Sequence, residues 1–101
     1  METPEPGDLS PWLDIAADSP ELRDDAEAMA HVVHRFQGKY LPAWTRAKTP
    51  QERERAWTAL WHFLTARPTR RKPFALSAQA ADELIARLQA EVARRLPPPT
   101  G

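Results

Sequence analysis

The chain has no cysteine and no asparagine, and only three glycines among its 101 residues. Without cysteine there is no disulfide framework, no thiol nucleophile and no cysteine-based metal site. Gly7, Gly38 and Gly101 are scattered, so no glycine-rich phosphate loop or dinucleotide fingerprint can form. Serine is also scarce. Ser10, Ser19 and Ser77 each stand where a helix could begin, which leaves none for a nucleophile elbow. β-Branched residues never run beyond the pair Val32-Val33, which argues against strands. The longest apolar stretch, Ala56 to Leu64, is about half a membrane span and is broken by Thr58 and His62. The acidic, proline-rich opening METPEPGDLSP is the opposite of a secretion or transit signal. A cytoplasmic protein without a membrane segment is therefore expected.

What is present is alanine, leucine and tryptophan. Seventeen alanines inflate the hydrophobic fraction, so the core rests on the larger side chains, chiefly Leu, Trp and Phe. A chain of this length and composition predicts one all-α domain.

The strongest helix signal is TPQERERAWTALWHFLTAR, Thr49 to Arg67. Thr49 can cap, Pro50 suits the first helical position and Glu52 completes a capping box. Ala56, Trp57, Leu60 and Leu64 then recur at helical spacing, with Trp61 and Phe63 on the flanks. The spacing places Trp57 in the core and Trp61 at its edge. Ser19-Pro20 predicts a second helix over about 20–37, on the stripe Leu22, Ala26, Met29, Val33, Phe36 and Tyr40, with Gly38 or Pro42 ending it. Ser77 predicts a third over 78–96, on Ala81, Leu84, Ile85, Leu88, Val92 and Leu96, with Glu83–Arg87 and Glu91–Arg95 pairing along its flank. A short helical turn near 11–17 carries Trp12, Leu13 and Ile15. The expected architecture is a three-helix bundle over 9–96, between a disordered acidic tail (1–8) and a proline-rich one (97–101).

Net charge is zero, yet its distribution is lopsided. Residues 1–34 hold nine acids against Arg23 alone, a net of −8. Residues 35–72 hold ten bases against Glu52 and Glu54, a net of +8. The proline-bounded connector Arg67-Pro68-Thr69-Arg70-Arg71-Lys72-Pro73 is the most basic stretch and is too long for a helix-turn-helix. A nucleic-acid backbone would bind Arg67, Arg70, Arg71 and Lys72 by counterion release. Arg46, Lys48, Arg53 and Arg55 would join them if the fold brings the start of the central helix round.

The expected function is thus a non-enzymatic regulatory or accessory module with DNA or RNA as leading partner. The alternative is a protein–protein adaptor or inhibitor that uses Trp12, Trp44 and Trp61 and the dipolar surface to hold a larger protein or a second copy of itself. Catalysis would have to rest on carboxylates and histidines alone. The one such row is Glu27, His31 and His34, at i, i+4 and i+7. It lies opposite the apolar stripe, as a solvated helix face does, so no metal or other cofactor is expected there.

Overall fold

A computed structural model describes residues 9–95 of the chain. Among them lie five α-helices and one π turn, with no strand: α1 Ser10–Ala17, α2 Ala26–Arg35, the π turn Phe36–Tyr40, α3 Leu41–Arg46, α4 Pro50–Thr65 and α5 Ala78–Arg95. The expected all-α bundle is what the chain adopts. The two tails, 1–8 and 97–101, lie outside the described residues, as does Leu96.

α4 forms where its capping box lies. Thr49 Oγ1 accepts from the Glu52 N–H at 3.1 Å, and Glu52 Oε1 accepts in return from the Lys48 N–H at 2.6 Å. α5 starts at Ser77, whose Oγ accepts from the Ala80 N–H at 3.1 Å. One face of each long helix closes on the other, with α1 laid across α2 and α5. Leu60 and Leu64 of α4 and Ala81, Leu84 and Leu88 of α5 are essentially inaccessible. At the centre lies Phe36, with Trp12 edge-on at 5.0 Å and Trp57 stacked at 6.0 Å between ring centroids.

Three sequence expectations need correction here. The second helix does not begin at Ser19-Pro20. The backbone makes a turn there, with the Leu22 and Arg23 N–H groups both donating to the Ser19 carbonyl, and α2 starts at Ala26. Asp25 wins as the cap because its Oδ1 accepts from the Ala28 N–H at 3.0 Å. Leu22 is still fully buried, as a turn residue, while Ala26 is exposed and Ala28 and Val32 take the core positions. Nor does the helix end near Gly38. It widens into the π turn, closed by the Leu41 N–H donating to the Phe36 carbonyl five residues back, and runs on into α3. Pro42 has no N–H to give and its ring crowds the preceding turn of an α-helix. The wider turn gives that ring room and continues the axis. Finally, Arg87 pairs with Asp18 at 2.9 Å rather than with Glu83, tying the end of α1 to α5. The Glu91–Arg95 pair forms as the spacing predicts.

Glu21 has a job no periodicity announces. Its carboxylate accepts from both the N–H (2.9 Å) and the hydroxyl (2.7 Å) of Ser77, so the turn before α2 also fastens the start of α5. The Ser77 hydroxyl, then its backbone N–H, hold the Glu21 pKa below the ordinary glutamate value. A carboxylate depressed in the folded state stabilises above its unfolded pKa, and loses that contribution as pH falls through the folded one. Stability should therefore fall on acidification below the ordinary glutamate range, and Glu21→Gln should flatten that part of the profile. Thermal melts of both proteins from neutral to acidic pH check this; parallel curves would remove Glu21 from the account.

Candidate nucleic-acid interface

The eight cations picked from the sequence fall into two groups, not one. α4 is an unbroken helix of 16 residues, about 24 Å long. Arg46, Lys48, Arg53 and Arg55 gather around its beginning, while Arg67, Arg70, Arg71 and Lys72 follow its end. A straight helix cannot bring its own start round to its finish. Six of the eight are exposed, Arg53 is partly buried, and Lys72 is buried.

Lys72 is the second correction to the site. Only 7% of the residue is accessible, and its ammonium turns inward. Nζ donates to the Ala66 carbonyl at 2.6 Å and to the Phe74 carbonyl, and sits 4.6 Å from the Phe74 ring centroid and 5.8 Å from that of Phe63. Burial lowers its pKa. The reason is local: after a tight turn closed by reciprocal backbone bonds between Thr69 and Lys72, burial alternates from one residue to the next. Alternate residues Lys72, Phe74 and Leu76 then point into the protein, while Arg71, Pro73 and Ala75 point out. The Leu76 N–H donates to the Leu64 carbonyl and completes the seam. Lys72 is a clasp that shapes the connector, leaving Arg67, Arg70 and Arg71 as its outward cations.

The protein-interface candidates also separate. Trp12 is 5% accessible and belongs to the core, so its place in a short N-terminal piece misled. Short helices survive by docking their large side chains. Trp44 and Trp61 are partly buried at the rim. Trp61 donates its Nε1–H to Asp82 Oδ1 at 2.8 Å, and lines with Trp57, Glu54, Ile85 and Gln89 an open groove of about 390 Å³ between α4 and α5.

Two cations that the motif reading passed over complete the basic surface. The Arg35 guanidinium lies over Phe63 at 5.2 Å, and the Lys39 ammonium over Tyr40 at 5.5 Å. Burial raises the Tyr40 pKa, with Arg35 close enough to pull it the other way. Both cations extend the row Glu27–His31 at steps of four, which is the signal that could have found them. His31 is partly buried against Phe74 at 6.3 Å rather than fully solvated, and His34 is exposed. Among the described residues no three His, Asp or Glu side chains are grouped so as to hold a metal ion.

The charges stay sorted. Asp18 is spent on Arg87, Glu21 on Ser77 and Asp25 on the cap of α2. Among the described residues no carboxylate of the acidic first third lies within 4 Å of a cation in the basic middle. Comparison with protein-family models, with curated proteins and with solved structures gives no match.

Proposed function

We propose that the chain is a small accessory module that binds nucleic acid, DNA or RNA, through its backbone and with little base preference. Arg67, Arg70 and Arg71 of the connector form one contact set, and Arg46, Lys48, Arg53 and Arg55 at the other end of α4 form a second. The observation that carries this is the lack of any ion pair on these cations among the described residues, while Asp18, Glu21 and Asp25 of the acidic third are held by other partners. Cations without ion-pair partners are what counterion release uses. The connector set, with no acid in its own stretch, meets this better than the α4 set, where Glu52 and Glu54 alternate with Arg53 and Arg55. Ten residues of helix, about 15 Å, separate Arg55 from Thr65 at the foot of the connector, so a polymer can engage both sets and a mononucleotide cannot.

The test is a salt series with a labelled duplex, wild type beside the Arg67→Gln, Arg70→Gln, Arg71→Gln triple variant. Loss of three phosphate contacts flattens the plot of log affinity against log salt by roughly 2.7. No binding by wild type at low salt, or an unchanged slope in the variant, would overturn the reading.

A protein–protein adaptor is the second reading, favoured by the groove that Trp61 shares with Trp57 and Ile85. Its rim carries Glu54 and Asp82, so a partner seated there would be cationic or apolar. Trp61→Ala would release such a partner and leave the nucleic-acid salt slope untouched.

A further inference from the structure

One face of α2 and the π turn is hollow. Glu27, His31, Arg35 and Lys39 follow one another at steps of four, and Ala30, His34 and Gly38 form the adjacent row. Gly38 has no side chain to fill its turn, and a Cβ built on it would meet no atom within 4 Å. The result is a shallow, open depression of about 450 Å³ with Gly38 on its floor.

Its cationic end is organised. Arg35 rests on Phe63 and Lys39 on Tyr40, and neither has a carboxylate within 4 Å among the described residues. Side chains already held against rings lose less freedom when they bind. A guanidinium offers a planar fork of donors that matches two oxygens of a phosphate. His31 and His34 add ring N–H donors along the same face. The depression also borders the connector, because His31 touches Phe74 and Phe74 packs edge-on against Phe63 at 5.9 Å. Glu27 stands at the far end, roughly 18 Å along the axis from Lys39, and so bounds the site without occupying its cationic half.

We propose that this depression seats a phosphodiester group of a bound nucleic acid, with Arg35 and Lys39 as its principal ligands. The inference rests on the nucleic-acid reading and adds to it a contact that is shaped rather than merely charged.

Gly38 supplies the test, since a Cβ there meets no atom within 4 Å and a longer side chain would extend into the depression. Duplex binding is followed by fluorescence anisotropy across a salt series for wild type, Gly38→Ala, Gly38→Leu, the Arg35→Gln/Lys39→Gln double variant and the connector triple variant. Circular dichroism confirms that each is folded. Gly38→Ala should bind as wild type does. Gly38→Leu should weaken binding by about tenfold, the equivalent of one charge-assisted hydrogen bond. The double variant removes both ligands of that one phosphate and should flatten the salt slope by roughly 0.9. If the double variant unfolds, the Gly38 pair decides the matter alone. Should wild type bind and the connector variant flatten the slope while Gly38→Leu and the double variant behave as wild type, the depression is not a phosphate seat, although the connector reading stands. If wild type binds no duplex at low salt, both fall together.

Discussion

Phe36→Ala is expected to cost about 3–5 kcal/mol, the range for deleting a buried aromatic ring from a packed core. Phe36 is 1% accessible and is the ring on which Trp12 of α1 and Trp57 of α4 both close. Its loss would open a cavity where three elements meet, and neither tryptophan can follow without leaving its own contacts. Small domains hold only about 5–15 kcal/mol in all, so the variant would be close to unfolding. At about 4–8 °C per kcal/mol, its melting point should fall by well over ten degrees. Thermal unfolding followed by circular dichroism measures this directly. A melting point within a degree or two of wild type would mean that the core is not organised around this ring.

Lys72→Met should destabilise the protein by about 1.5–3 kcal/mol, the range for a hydrogen bond to a charged group. Methionine keeps the apolar stem against Phe63 and Phe74 but leaves the Ala66 and Phe74 carbonyls without their ammonium donor. By contrast, Arg67→Gln, Arg70→Gln and Arg71→Gln each change exposed positions and should stay within about 0.5 kcal/mol of wild type. Denaturant midpoints of the four variants give the comparison. Amine labelling adds a check on the wild type: Lys39 and Lys48 are exposed and should react quickly, while Lys72 should be protected until the chain unfolds. Equal labelling of all three, with a neutral Lys72→Met, would return Lys72 to the surface.

These four connector positions show how far the sequence could be read. Their charge was legible and their orientation was not, because orientation depends on an alternation of Lys72, Phe74 and Leu76 that a basic run disguises. α4 and α5 were legible to within a residue or so at their starts, since Thr49, Pro50, Glu52 and Ser77 act on backbone groups within one turn. α2 was misplaced because Ser19-Pro20 and Asp25 are both good caps, and long-range contacts decide between them. Glu21 goes to Ser77, 56 residues away, and Leu22 is buried from a turn. Neither fact has a local signature. Gly38 and Pro42 look like breakers, but the π turn absorbs both. Trp12 misled for a related reason: eight residues of helix give too little pattern to tell a docked side chain from a free one. Arg35 and Lys39 were visible at helical spacing all along; what the sequence alone withholds is that Phe63 and Tyr40 lie beneath them.

The π turn sets a limit on where this chain can change length. It holds one residue more than the α-helical path it replaces, and that surplus fixes the phase between α2 and α3. Each residue of an α-helix advances about 100° around the axis. Deleting one residue from 36–40 would swing Leu41 and Trp44 off the core and return the proline ring to a turn too narrow for it. Adding one would rotate them as far the other way. The exposed start of the connector at 66–68 carries no such phase, unlike 72–76, where Lys72, Phe74 and Leu76 alternate inward. In chains descended from a common ancestor with this one, insertions and deletions should gather in that short stretch, while the count from Phe36 to Tyr40 is kept even where the residues differ.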